Sequence, residues 1–250
     1  MAKPKDRTVW LVDEKLDFRG SPPPKFFYIV GSVERSGSTV FCNRLWQTGI
    51  LGAPGEYFNF HTIMVQMMVR LGVSSLDDYI SRLCAVRTSP NGVFGMQLHW
   101  PHLQFLDLAT RRADTPNIRW ILLDRRDHVA QAVSFAKAYQ TRQWTSLTEP
   151  ADAPAYSFKT LRICHGQLKE HRKSWQSFGR RLKTKPALIF YEDFITAPDA
   201  AAERVVTWLG FPETPVASVS LPEVKRQSDA TNAEWAERFR RDAEREGYAL

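Results

Sequence analysis

Cysteine is scarce and scattered in this 250-residue chain: Cys42, Cys84 and Cys164 lie far apart with no paired spacing. That excludes a disulfide framework and a cysteine-built zinc site, and leaves the thiols as small buried hydrophobes. Long apolar runs are missing as well. No segment approaches the ~20 consecutive apolar residues that span a bilayer, and residues 1–25 hold no apolar core of signal-peptide length. The chain therefore reads as soluble and cytoplasmic. No periodic repeat or low-complexity tract divides it. Although the net charge is +7, the basic residues form no long stripe interleaved with aromatics. Their densest clusters, RRLKTK at 180–185 and ERFRRD at 237–242, read as solvated helix ends, so no nucleic-acid partner is expected. The positive excess suits a small polyanionic ligand.

What the chain does have is alternation. Residues 1–25, with the run Pro22-Pro23-Pro24, read as an irregular arm, and residues 26–250 as a single domain. Apolar runs at 26–33, 93–100, 117–126 and 187–194 read as four strands. Segments with a period near 3.6 read as helices at 61–72, 75–87, 128–140, 157–180, 198–210 and 232–246. Ser75, Asp127 and Pro198 supply start signals. Strands alternating with helices imply an α/β three-layer sandwich: a mainly parallel sheet covered on both faces, with ligands bound at the carboxyl ends of the strands.

The most informative stretch is FFYIVGSVERSGSTVFCNR at 26–44. An apolar strand stops at a small-residue loop that opens a helix. Such a unit aims backbone N–H groups and a helix dipole at an anion. Gly37 lets backbone approach a ligand, Ser36, Ser38 and Thr39 add hydroxyls, and Arg35 adds a permanent charge. The loop departs from a Walker A sequence, because Ser32 stands at the first glycine and Ser38 at the lysine. Without that lysine, ATP chemistry is disfavoured.

A second cationic signal follows the central strand. Arg126 stands at its end and Ser134 lies eight residues on, two helical turns along the next helix, where both can face one crevice and hold a second phosphate. On these residues alone, a structural Arg126 paired with Asp127 or Glu192 is an equal alternative. Among candidate bases, Glu56 in PGEYF follows the first loop–helix unit and can fold back over its mouth, with His61 and His99 as rivals.

Taken in order, RSGST, PGEYF, NGVFGMQLHW, RRDHVAQAVS, QTRQW and RQSDATNAEW resemble the bacterial trehalose 2-sulfotransferase family and related carbohydrate sulfotransferases, from about residue 26 to residue 245. The resemblance implies a P-loop-like fold that takes 3′-phosphoadenosine-5′-phosphosulfate (PAPS) as donor and releases adenosine 3′,5′-bisphosphate (PAP), with no metal. By matching motifs it assigns the 5′-phosphosulfate to Arg35, Ser36, Gly37, Ser38 and Thr39, and the 3′-phosphate to Arg126 and Ser134. It makes Glu56 the general base and brings Arg226 and Gln227 toward the nucleotide. Gln97 stands where related sequences carry lysine. The implied acceptor is a hydroxyl of a carbohydrate or glycolipid, with Tyr57, His99, Trp100 and Trp144 as candidate contacts, and a homodimer is compatible with the family. Two other readings share this architecture: a small-molecule kinase using Asp124 for Mg²⁺, and a non-catalytic anion-binding protein.

Overall fold

The computed structural model describes residues 10–110, 118–211, 219–225 and 227–250. Four strands, β1 (Phe26–Ser32), β2 (Val93–His99), β3 (Arg119–Asp124) and β4 (Ala187–Phe190), form one sheet in the order β2-β1-β3-β4. Every pairing is parallel, so each connection crosses over one face of the sheet.

Period-two alternation divides the side chains between two cores. Tyr28, Val30, Ile121 and Leu123 pack against α1 (Ser38–Gln47) and α8 (Pro198–Leu209). Ile29, Trp120 and Leu122 face the other way, toward α5 (His128–Thr141), α6 (Phe158–Arg181) and α9 (Ala230–Arg245). Gly31 in β1 is needed for this second layer, since a Cβ there would lie 2.9 Å from the Trp175 ring. The Trp175 indole instead donates to Ser32 O at 3.0 Å.

The remaining elements are α2 (Ile63–Leu71), α3 (Leu76–Arg87), α4 (Leu103–Thr110) and the single turn α7 (Tyr191–Phe194). Helix starts follow the expected chemistry: Ser75, Asp127 and Ser157 each accept a backbone N–H of the first turn. Asp229 and Asn232 form a reciprocal capping box that starts α9 at Ala230, two residues ahead of the start expected from periodicity.

Three segments differ from expectation. The fourth strand ends at Phe190 rather than 194, because residues 191–194 wind into α7, where Glu192 satisfies backbone N–H groups of the β3–α5 loop. The second strand ends at His99 rather than 100, and Trp100 opens a short 3-10 turn with Pro101 that leads into α4 across residues otherwise unassigned by periodicity. Within the expected irregular arm, residues 10–16 form two 3-10 turns that bury Leu11 and Val12. Arg87 holds them there: fully buried, it donates to Leu16 O (2.7 Å) and Leu11 O (2.8 Å) and lies 3.2 Å from Asp17.

Candidate active site

The site gathers at the carboxyl ends of β1, β2 and β3. β1 runs into the 33–37 loop, which reverses direction by placing Arg35 (φ 61) and Gly37 (φ 78) in the left-handed region. At Gly37 a side chain is excluded twice, by φ and by Tyr191, whose ring would lie 2.6 Å from a Cβ. Gly37 caps α1, leaving the first N–H groups of that helix open to an anion. Ser36 Oγ is fully buried and has no hydrogen-bond partner among the described residues. An orphaned hydroxyl in a loop of this shape fits an anionic phosphosulfate.

Arg35 reaches away from the loop and joins three distant segments. Its Nε donates to Ser134 Oγ at 2.9 Å, and its terminal nitrogens donate to Trp144 O at 2.6 Å and Gln227 Oε1 at 2.8 Å. Burial, followed by the charge of Arg125, lowers its pKa to about 10, which still leaves it cationic. Arg35, Ser134, Trp144 and Gln227 are thus brought together. Arg226 lies outside the described residues.

Arg126 is not brought to Ser134. Its guanidinium lies over the Phe190 ring and grips Asp193 at 2.5 and 2.7 Å, and its backbone N–H donates to Glu192. The acidic partners come from α7, and it is Asp193, rather than the Asp127 or Glu192 weighed from the sequence, that pairs with the side chain.

The carboxylate side of the site is built from β2. Gly55 bridges to Met96, and Gln97 N–H donates to Gly55 O at 2.9 Å, so PGEYF runs alongside β2 and delivers Glu56 to its end. There Glu56 Oε1 lies 3.4 Å from His99 Nε2 and 3.8 Å from His102 Nδ1. His99 Nδ1 lies 3.0 Å from Ser32 O, which makes Nδ1 the protonated nitrogen and turns Nε2 toward Glu56. Burial raises the Glu56 pKa above the ordinary carboxylate range, with Glu34 adding to it and His99 opposing. Burial alone would lower His99, but the charges of Glu56 and Glu34 outweigh it and hold it up. Each group favours the other's charge, so the two titrate as a coupled pair. Gln97 ties this pair to the loop, since its Nε2 donates to Ser38 Oγ at 2.9 Å and lies 3.4 Å from His99 Nε2.

Sequence reasoning missed a second carboxylate–imidazole pair in the same cleft, Glu34 and His171, 2.9 Å apart. Glu34 has no motif of its own, and His171 arrives from mid-helix 137 positions later. Burial raises Glu34, but the hydrogen bond from His171 and the charge of His99 reverse this and hold it below its ordinary value. Glu34 O also accepts from Gln131, which Arg172 orients while pairing with Asp124.

Among the candidate acceptor contacts, Tyr57 is withdrawn. It is fully buried, its hydroxyl donates to Ala53 O, and it packs against Arg87, so its ring cannot stack on a ligand. Trp100 packs edge-on to Trp175. Trp144 accepts from Arg35 through its backbone carbonyl, and its ring, packed against Phe135, stays half-exposed. His61 is exposed against Phe60, without a contact to Glu56. Among the described residues, no group of three or more His, Cys, Asp or Glu side chains is arranged to hold a metal ion, and no helix is long and apolar enough to cross a membrane.

An all-parallel sheet whose first strand opens an anion loop, with acid–base groups at the end of the neighbouring strand, defines a P-loop-like α/β fold. The family model described as Stf0 sulphotransferase matches residues 27–242, and the chain belongs to that family. It is similar to the trehalose 2-sulfotransferase of Mycolicibacterium smegmatis (28% identity, covering 89% of this chain and 97% of the relative). It is also similar to that of Mycobacterium tuberculosis (27%, covering 88% and 96%). Among solved structures, the sulfotransferase domain from the curacin biosynthetic pathway superposes with a TM-score of 0.50 at 14% identity, over 92% of this chain and 100% of that one. The domain from the Synechococcus PCC 7002 olefin synthase gives 0.52 at 14%, over 93% and 99%. These two share the fold.

Proposed function

We propose that the protein moves a sulfuryl group from PAPS to a hydroxyl of a carbohydrate or glycolipid acceptor, with trehalose the first acceptor to test. The observation that carries this is the Glu56–His99 pair, tied through Gln97 to Ser38 of the anion loop. A proton acceptor is thereby fixed beside the place where a phosphosulfate would lie. PAPS supplies an activated sulfuryl group and a bisphosphate leaving group. The chain's own part is to bind, orient and move one proton.

Gly37 and the first amides of α1, with Ser36, Ser38 and Thr39, cradle the phosphosulfate, and their preorganised dipoles stabilise the charge that grows on the leaving oxygen. Arg35 adds a fixed positive charge to the same region. Glu56 takes the proton of the attacking hydroxyl, and His99, anchored on Ser32, stabilises the pair as it gains that proton. Trp144 offers a half-exposed ring to a sugar face. Arg126 and Ser134 remain proposed ligands of the 3′-phosphate, Arg126 by leaving Asp193. Gln227, held by Arg35, closes the nucleotide side.

The kinase alternative is weakened by Asp124, both of whose carboxylate oxygens accept from Arg172 Nε, at 3.0 and 3.1 Å. That carboxylate is spent on structure rather than free for Mg²⁺. The reading is tested by incubating the protein with ³⁵S-labelled PAPS and trehalose. A labelled sugar that fails to form with Glu56→Gln supports it; no transfer to trehalose or to any glycolipid pool contradicts it.

A further inference from the structure

Ser32, the last residue of β1, holds two walls of the cleft together: its carbonyl accepts from His99 Nδ1 and from the Trp175 indole, each at 3.0 Å. The first contact brings in the end of β2 and the second brings in α6. One turn before Trp175, on the same face of α6, His171 reaches Glu34, two residues beyond Ser32, with Nδ1 2.9 Å from Oε2. Each wall therefore carries an imidazole and a carboxylate. His99 and Glu56, with His102 beside them, stand on the β2 side, and His171 and Glu34 stand on the α6 side.

The second pair is not sealed off. Both of its side chains are 14% exposed, close to the 12% of His99. His171 spends Nδ1 on the Glu34 carboxylate, which leaves Nε2 without a hydrogen-bond partner among the described residues. The two carboxylates also differ in what they can do. Burial raises both, but at Glu34 the hydrogen bond from His171 and the charge of His99 reverse the shift and hold it below its ordinary value. Glu34 thus stays ionised and accepts hydrogen bonds, while Glu56 is the group that takes up a proton. A fixed negative charge one residue before Arg35 opposes anion binding in that loop, so its use lies with a neutral partner. Hydroxyl groups suit it: they donate to a carboxylate and either donate to or accept from an imidazole nitrogen.

We propose that Glu34 and His171 form an acceptor subsite that binds a second hydroxyl of a free sugar while a neighbouring hydroxyl meets Glu56. This rests on the reading of Glu56 as the base for sulfuryl transfer, and it narrows the acceptor class. Ionisable groups on both walls favour a molecule that is polar on both edges over one whose far side is an acyl chain. An acceptor lacking the second hydroxyl leaves the charged pair without its partner, which is a strong basis for rejection.

The test is a cycle between protein and substrate. Sulfuryl transfer from ³⁵S-labelled PAPS is measured as kcat/KM for trehalose and for its monodeoxy analogues, leaving aside the one that lacks the sulfated hydroxyl itself. The full chain, His171→Leu and Glu34→Gln are compared at a pH well above the acid limb. Wild type is expected to use at least one analogue roughly tenfold or more below trehalose. His171→Leu loses a similar factor on trehalose and loses little more on that analogue. By calorimetry, Glu34→Gln binds PAP at least as tightly as wild type. The proposal is overturned if wild type uses every analogue as well as trehalose, or if His171→Leu stays within twofold of wild type on trehalose. It is also overturned if His171→Leu lowers trehalose and all analogues by one common factor, as a residue that only supports Glu56 or the fold would, or if Glu34→Gln loses tenfold in PAP affinity. Transfer to glycolipids but not to trehalose overturns this subsite and leaves the sulfuryl-transfer reading standing; transfer to neither overturns both. Thermal unfolding of each variant separates a lost contact from a lost fold, and if His171→Leu is unfolded, Glu34→Gln carries the same comparison.

Discussion

His99 turns its Nε2 toward Glu56, 3.4 Å away, while its Nδ1 is anchored on Ser32 at the end of β1. Neither group can be understood alone, because the charge of each is a leading influence on the other after burial. Replacing Glu56 by Gln keeps the shape and removes the proton acceptor. The expected loss of turnover is on the order of a hundred- to ten-thousand-fold, with PAP affinity unchanged within a few-fold by calorimetry. A variant retaining more than a tenth of wild-type turnover would remove Glu56 from the base role.

The pH dependence of turnover follows from the same pair. A base works deprotonated, so kcat/KM falls as pH drops through the raised Glu56 pKa, and the acid limb lies above the ordinary carboxylate value of about 4.3. Glu34 contributes to that elevation, so Glu34→Gln should move the acid limb to lower pH. A pH–rate profile for the two proteins checks the sign; an upward shift contradicts it.

Stability carries a separate pH signature at His102. Burial first, then the charge of His99, lowers its pKa from 6.5 to about 4. Between those values the unfolded chain binds a proton that the folded chain does not, so stability rises with pH and is lost as pH falls through this window. The contribution is on the order of 2–3 kcal/mol. Denaturant titrations at pH 4.5 and 7 should show a smaller difference for His102→Gln than for wild type.

Gly37 is predicted to be intolerant of even a methyl group. Gly37→Ala would place Cβ at positive φ and against Tyr191, costing about 1–3 kcal/mol in strain. It would also displace the loop amides, so PAP binding should weaken by at least tenfold, beyond what the loss of stability explains. Arg87→Ala, far from the loop, serves as the contrast. It should destabilise by roughly 3–5 kcal/mol, because it opens a cavity and strips the buried turns at residues 10–16 of the donor that holds the Leu11 and Leu16 carbonyls. Nucleotide affinity of the folded fraction should be unchanged.

Local signals were legible in the sequence because their physics is local. The strand read at 26–33 and found at 26–32, the glycine-centred loop, the caps Ser75 and Asp127 and the helix-opening Pro198 all depend on neighbours within a few residues. Glu56 was legible through PGEYF, whose proline and glycine forbid helix and leave an extended segment able to line β2. The rest depended on long-range partners. His171 and Glu34 meet across 137 positions, and no spacing rule marks them. Tyr57 was a candidate acceptor contact, yet its hydroxyl closes onto Ala53 inside the core. Arg126 shows the limit most clearly: its guanidinium is held by Asp193 of α7, a turn that reads as a continuation of β4.

The most direct test of the account is thermal unfolding of the protein with PAP in the absence of Mg²⁺, beside a parallel series with Mg-ATP. The anion loop and the guanidinium groups around it predict a concentration-dependent rise in Tm with PAP alone, abolished by Gly37→Ala. Stabilisation by Mg-ATP with none by PAP would contradict the assignment of this site to a sulfuryl donor.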